Sequence, residues 1–431
     1  MAKKKMTLEK NLEEAIVKDV PYEVPENWIN VKLNSVVKFE KGKKPKILID
    51  NFEDKAIPYV TIKYFQTKEA DQYTFETETN RVCNEDDILI VWDGARAGLI
   101  GTGVQGALGS TLCNIKFNYI NKKFMYYYFV SKYDLINSNT KGTGIPHVDP
   151  IYLDTLVLSI PPLKEQQRIV GKIESLFEKL DKAKELIEEA RDDFEKRKSA
   201  ILEKAFRGEL TREWRSKNNV SHTKTWSKKI FSEIAEVKSN LVKPQDFLKY
   251  PHIAPDNIEK KTGKLLKYRT IEQDNVKSAK HRFYPGQIIY SKIRPYLSKV
   301  ILVDFEGLCS ADMYPIETEL DTKYLYYYML SDTFVDCASN SGSRSVLPKI
   351  NQKELGKIKV PVCNINEQKE IVRILNKLLE EESKIEELTE LEEQIELIKK
   401  SILAKAFRGQ LGTNCEEDGS ALELLKEILT T

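Results

Sequence analysis

Gly101-Thr-Gly-Val-Gln-Gly106 has the G-x-G-x-x-G spacing in which bare backbone amides can cradle a dinucleotide phosphate. That chemistry needs a helix opening on the last glycine, and here Gly109 and a strand-like Leu112–Phe117 follow instead. The matching stretch near Val303–Ser310 lacks the glycines. The four histidines, His147, His222, His252 and His281, form no HxxxH or HExxH pattern, so no metal site is expected. No G-x-x-x-x-G-K-[ST] phosphate loop occurs, and the six cysteines show no CxxC pairing. They read as reduced thiols of a cytoplasmic protein.

Asp149-Pro-Ile-Tyr152 has the outline of an Asp/Asn-Pro-Pro-Tyr loop, which grips an amino nitrogen in methyl-transfer sites. The second proline is missing and no glycine-rich cofactor motif follows a strand upstream, so a turn before a module's final strand is expected. Acid–acid–Lys combinations occur, but at 31% charged residues they arise by accident. No signature of catalysis survives.

Residues suited to gripping a polyanion survive better. Lysine and arginine hold phosphates, and arginine can also fork onto guanine edges. In the second half of the chain, Lys260–Arg269 is a basic turn offering Lys264, Lys267, Tyr268 and Arg269. Lys280 and Arg282 follow in Lys280-His-Arg-Phe-Tyr284, then Lys292, Arg294 and Tyr296 in a loop after an apolar run. Ser343 and Arg344 sit in the glycine-bearing Ser341-Gly-Ser-Arg344. The first half offers Lys41, Lys43, Lys44 and Lys46, Lys63 with Tyr64, Arg96, and Lys141 with Thr143. Taken singly, each of these first-half residues is better explained by a solvated surface; as a set they favour nucleic acid. The charge pattern agrees for one half only. The overall net charge of +2 hides +8 over residues 213–360 and −7 over 361–431, while 21–160 carry −1.

The elements that must position these residues are duplicated. Ile201-Leu-x-Lys-Ala-Phe-Arg-Gly-x-Leu210 returns at Ile402–Leu411, Glu165-Gln-x-x-Ile-Val170 at Glu367–Val372, and Tyr126-Tyr-Tyr-x-x-Ser131 at Tyr326–Ser331. Trp28 and Trp226 open matching strand-like runs. Four anchors in the same order, all offset by about 200 residues, mark an internal repeat. From Ile169 the apolar positions Ile173, Leu176, Leu180, Ala183, Ile187, Ala190, Phe194 and Ile201 step by four and three apart from Arg197, a heptad seam. Pro161-Pro162 precedes it and Gly208 follows it. About 40 helical residues make a rod of roughly 60 Å, too long for one small domain. Ile371, Leu375, Leu378, Ile385, Leu388, Leu391, Ile395, Ile398 and Ile402 form a second seam, disturbed near Glu380-Glu381-Glu382. Antiparallel pairing of the two rods buries both seams; the alternative is that each rod packs on its own module.

The modules read as strand-rich α+β domains, with apolar runs at Asp87–Trp92 and Gln287–Tyr290, and one short helix each, near Lys123–Lys132 and Lys323–Asp332. No run approaches the roughly 18 apolar residues of a membrane span. The basic start is followed by a charged rather than apolar stretch, so no secretory signal is expected.

Pro161-Pro-Leu-Lys-Glu-Gln-Gln-Arg-Ile-Val170, the heptad helix and Lys204-Ala-Phe-Arg-Gly-Glu-Leu210 resemble a region of the specificity subunits of type I restriction-modification enzymes. The second copy and Ser420-Ala-Leu-Glu-Leu-Leu-Lys-Glu-Ile428 resemble that family too, and the resemblance covers nearly the whole chain. It implies an N-terminal helical segment over 1–20 and target-recognition domains over 21–160 and 213–360. Long helices over 161–212 and 361–412 would pair as an antiparallel coiled coil, followed by a tail with a short helix over 413–431. Each recognition domain would read half of a split, asymmetric site in double-stranded DNA, and the helices would set the spacer and dock two modification (methyltransferase) subunits. The chain itself would be non-catalytic and hold no cofactor. S-adenosylmethionine would bind the modification partner, and ATP with Mg a restriction subunit. Half-sites a helical turn apart need reading heads held rigidly at roughly 34 Å, which a coiled coil supplies. The alternatives are a recognition subunit of a type II-like methyltransferase–nuclease, or a coiled-coil scaffold that binds no DNA. The amphipathic Leu8–Val17 and Ala421–Leu429 are expected to pack near each other.

Overall fold

The computed structural model describes residues 8–79, 81–142, 144–340, 348–383 and 386–430. It divides into two compact units, one of residues 1–185 with 391–431, the other of residues 186–390.

In the first unit the strands are β1 (Ile29–Lys32), β2 (Lys38–Lys41), β3 (Ala56–Val60), β4 (Tyr73–Phe75), β5 (Val82–Cys83), β6 (Ile88–Val91), β7 (Ile100–Gly101), β8 (Gly106–Leu108), β9 (Leu112–Lys116) and β10 (Val157–Ile160). They form an antiparallel sheet in the order β2-β9-β6-β7, a sheet β4-β3-β8-β5 in which β3 and β8 run parallel, and the pair β1-β10. Strand β6 shows why the modules read as apolar runs. Side chains alternate across a strand, and here both faces are covered. Ile88 and Ile90 enter the core shared with Phe124 and Tyr128, whereas Leu89 and Val91 enter a second core with Val60, Phe65 and Leu108.

The second unit repeats this plan. Its strands are β11 (Ser227–Ile230), β12 (Ala235–Val237), β13 (Leu241–Val242), β14 (Pro251–Ile253), β15 (Arg269–Thr270), β16 (Lys280–Phe283), β17 (Ile288–Ser291), β18 (Val300–Leu302), β19 (Gly307–Cys309), β20 (Met313–Thr318) and β21 (Lys359–Val362). The sheets run β12-β20-β17-β18, β13-β16-β19-β14-β15 and β11-β21, with β14 and β19 parallel. Among the described strands only β13 lacks a counterpart in the first unit, so the duplication extends to strand order.

More helices occur than one per module. Besides Lys122–Ser138 the first module carries Ile62–Thr67 and Pro150–Thr155, and besides Thr322–Leu330 the second carries Asp332–Asn340 and Gln352–Gly356. Asp149 therefore opens a helix rather than a simple turn. Its carboxylate accepts the Ile151 amide at 3.0 Å, and Pro150 occupies the first turn. Helices this short have too few turns to show a period.

The first long helix, Leu163–Phe206, is unbroken over 44 residues. The second is described as Ile365–Ser383 and Glu386–Ala406; Ile385 of its expected seam lies outside the described residues. Within the first unit the two pack antiparallel. Ile169 and Ile173 share a core with Leu403 and Phe407, and further along Asp181 pairs with Lys399 at 2.5 Å. Within the second unit, Leu202 and Phe206 share a core with Ile371 and Leu375, again antiparallel. The expected seam positions Leu391 and Ile398 are exposed, while Ile395 and Leu403 are buried.

Both helix starts are fixed by the same buried Glu-Gln pair. The Trp28 indole donates to Glu165 at 2.8 Å and the Trp226 indole to Glu367 at 3.0 Å. Gln166 accepts the Asn121 amide at 2.8 Å and Gln368 the Asp321 amide at 2.9 Å, each at the N-cap of its module's tyrosine-rich helix. Each glutamate also receives a threonine hydroxyl from just beyond the opposite Ala-Phe-Arg-Gly: Thr413 on Glu165 at 3.2 Å, Thr211 on Glu367 at 2.8 Å. Phe206 lies between Tyr324 and Tyr328, and Phe407 between Phe124 and Tyr128. The frames differ in one cation. Arg215 reaches Glu367 at 2.5 Å, whereas Glu165 takes the neutral Asn414 at 3.0 Å. The terminal helices Leu8–Ala15 and Ala421–Thr430 pack together in the first unit.

Candidate nucleic-acid interface

The G-x-G-x-x-G stretch contributes Gly101 to β7 and Gly106 to β8, with no helix on its last glycine, so the nucleotide-cradle reading is set aside. All six cysteines are free thiols. Burial pushes Cys83 up to about 11 and Cys113 and Cys363 up to about 12, so these stay protonated and unreactive.

In each module one loop leaves the central strand of the antiparallel sheet and is pinned by a segment from far along the chain. In the first it is Trp92–Leu99, between β6 and β7. The Gly94 amide donates to the Pro146 carbonyl at 2.7 Å and the Val148 amide to the Trp92 carbonyl at 2.8 Å. In the second it is Lys292–Lys299, between β17 and β18. The Arg294 amide donates to the Pro348 carbonyl at 2.8 Å and the Ile350 amide to the Lys292 carbonyl at 2.9 Å. Backbone pinned at both ends holds its side chains in place more firmly than a free loop does.

Around the first loop the structure gathers three candidates. Lys41 pairs with Asp93 at 2.9 Å, and Lys141 pairs with Asp149 at 2.9 Å and bridges to His147. Burial by itself would raise Asp149, but the Lys141 ammonium and the Ile151 amide hold it below the usual carboxylate range. Arg96 is exposed on the loop itself. Lys43, Lys44 and Lys46 are exposed on the strap that follows β2. Gly42 opens that strap so close to the Leu108 and Gly109 carbonyls that a side chain would collide with them. Lys63 and Tyr64 lie apart, on the helix after β3, where Lys63 pairs with Asp71 at 3.1 Å. Thr143 lies outside the described residues.

The second module brings Lys292, Arg294 and Tyr296 onto one loop. Lys292 and Lys349 share a single carboxylate, Asp312, at 3.7 and 3.2 Å. The turn bearing Lys264 sits beside them, since the Lys261 amide donates to Leu297. Lys267, Tyr268 and Arg269 are exposed on the mixed sheet's edge, where Tyr268 stacks on Phe305 at 5.6 Å. Two candidates are engaged within the protein. Lys280 is buried in β16 and donates to the Ser278 hydroxyl at 2.6 Å; desolvation lowers its pKa. Arg282 donates to Glu306 at 2.6 Å and lies over Phe247, Tyr250 and Tyr284, so its guanidinium holds the fold. Ser343 and Arg344 lie outside the described residues. Sequence reasoning missed Lys349; aligning Pro146-His147 with Pro348-Lys349 at the repeat offset would have found it.

A chain with two such modules has relatives. The family described as type I restriction modification DNA specificity domain matches it twice, over residues 25–191 and 223–397. The chain belongs to this family. A type I restriction enzyme specificity subunit of Escherichia coli, EcoDI, is 36% identical over 409 residues, covering 90% of this chain and 89% of that one. The MjaVIII specificity subunit of Methanocaldococcus jannaschii is 27% identical, covering 90% and 94%. A solved chain from work on complex assembly and conformational transition of the type I R-M system superposes with a TM-score of 0.66 at 19% identity. It covers 91% of this chain and 100% of that chain, a likeness of fold. No described helix is long and apolar enough to cross a membrane.

Proposed function

We propose that this chain is the DNA-reading specificity subunit of a type I restriction-modification complex. Each module reads one half of a split site, and the paired helices dock modification subunits. The chain does no chemistry itself. S-adenosylmethionine belongs to the modification partner, and ATP with Mg to a restriction partner. One observation carries the reading: strand order, pinned loop and Glu-Gln frame are duplicated, while the side chains on the pinned loops differ. A shared frame with divergent surfaces suits an asymmetric, two-part target. Phosphate contacts from Lys43, Lys44, Lys46, Lys141, Lys264, Lys267 and Arg269 would set register, and loop residues would read bases.

The test is reconstitution. Purified alone, the chain should transfer no methyl group from S-adenosylmethionine to DNA; with its modification partner, methylation should appear at a bipartite site. Insertion of seven residues into Ile187–Ala200 should alter the spacer and leave both half-sites unchanged. Methylation by the chain alone, or altered half-sites with an unaltered spacer, would refute the proposal.

A further inference from the structure

The two pinned loops are one backbone used twice with different side chains, and one of the differing pairs points to a task. Val91 and Ser291 donate across the loop base to Leu99 and Lys299, at 2.8 and 2.9 Å. One turn is then closed by Ala97 on Gly94 and by Leu297 on Arg294, both at 2.9 Å. Gly94 and Arg294 therefore occupy the same place, pinned respectively to Pro146 and Pro348. Both are left-handed, with φ of +107° at Gly94 and +48° at Arg294. Glycine takes that conformation freely; arginine takes it against its preference. A residue held in such a conformation in an exposed, doubly pinned loop is kept there for its side chain.

The surroundings say what that side chain meets. Arg294 is exposed and has no carboxylate partner among the described residues. The nearby carboxylate Asp312 is already shared by Lys292 and Lys349. A phosphate would be served by either lysine and needs no strained arginine. A guanidinium offers a rigid fork of donors and no acceptor, so it matches a base edge with two acceptors. In the major groove that edge is the N7 and O6 of guanine.

We propose that Arg294 is a specificity-determining residue of the second module, forking onto a guanine in its half-site while Lys349 beside it grips the adjoining phosphate. This assignment rests on the DNA-reading function proposed above. The first module presents no side chain at the equivalent Gly94, so its half-site is read from other positions.

The test is selection from a random-sequence duplex library by the full chain at about 0.1 M salt, comparing wild type, Arg294→Gly and Arg294→Lys. Arg294→Gly suits the left-handed backbone and copies the first module, so its melting temperature should match or exceed that of wild type. Both variants should lose roughly 10- to 100-fold preference for guanine at one position of one half-site, leaving the other half-site intact. Arg294→Lys keeps the charge but not the planar fork, so an undiminished guanine preference in that variant would overturn the assignment, as would an unchanged consensus for Arg294→Gly. A wild-type chain that binds the library yet enriches no sequence would overturn the DNA reading, and this assignment with it.

Discussion

Replacing Arg215 with alanine tests whether the buried Glu-Gln frame holds the second unit together. Glu367 has no solvent exposure, and Arg215 is about one-tenth exposed. Besides its 2.5 Å contact with Glu367, Arg215 donates to the Gly208 carbonyl at 2.6 Å, just past the end of the first long helix. Removing it strands a buried carboxylate and that carbonyl. Breaking a buried pair from one side costs about 3–5 kcal/mol. Because the Trp226 indole and the Thr211 hydroxyl remain on Glu367, the lower figure applies, about 3 kcal/mol, or roughly 100-fold in a local opening equilibrium. Hydrogen exchange read by mass spectrometry should show that loss in peptides from 202–217 and 365–379. Peptides from 163–177 and 403–414 should be unchanged, because Asn414 rather than an arginine serves Glu165. Pairing Arg215→Met with Glu367→Gln, which keeps an acceptor for Trp226 and Thr211, should recover most of the protection. A change below about fivefold for Arg215→Ala, or a double variant as poor as the single one, would show that the pair does not hold the frame.

Phe206→Ala and Phe407→Ala should each cost about 3–5 kcal/mol, with exchange rising in the second unit for the former and in the first for the latter; equal effects in both units would contradict the packing. Burial alone would raise Asp87, but the Asn84 amide, Lys116 and Asn114 outweigh it and hold its pKa below the usual range. A depressed folded pKa contributes stability above the unfolded value, about 3.9, and loses it as pH falls through the folded value. The stability gap between wild type and Asp87→Asn should therefore narrow as pH falls below about 4 in acid unfolding curves; a gap that does not narrow there would rule this out. Lys349→Ala should weaken DNA binding across sequences and lower the slope of log affinity against log salt by about 1, whereas an unchanged slope would remove Lys349 from the phosphate contacts.

The repeated Glu-Gln and Ala-Phe-Arg-Gly anchors, the heptad seam and the apolar central strands could be read from residue types alone, because period and offset are linear properties. The partners of the anchors could not. Nothing local to Glu165 announces the Trp28 indole 137 positions earlier, or Thr413 far downstream. The same limit explains why the burial of a candidate was not legible. Lys280 looks like its exposed neighbours in composition, yet the strand pairing of β16 turns it inward. The Arg294 amide is held by the Pro348 carbonyl, 54 residues away, whereas sequence offered only an arginine before a proline. The mid-helix apolar positions Leu391 and Ile398 fit the heptad by spacing but lie exposed.

The discontinuity of the first unit bears on how the chain is made. Residues 186–390 are contiguous, but the first unit needs residues 391–431 to finish its core, with Leu403, Phe407 and Leu425 meeting Ile169, Ile173 and Tyr128. A ribosome adding about 5–20 residues per second takes roughly 10–40 s to cover the intervening stretch. During that interval the unit begun first stays open along the face of its long helix, and the unit begun second can close before it. Order of synthesis and order of completion are thus inverted, and a nascent chain interrupted near residue 390 would display an intact second reading module beside an unfinished first one.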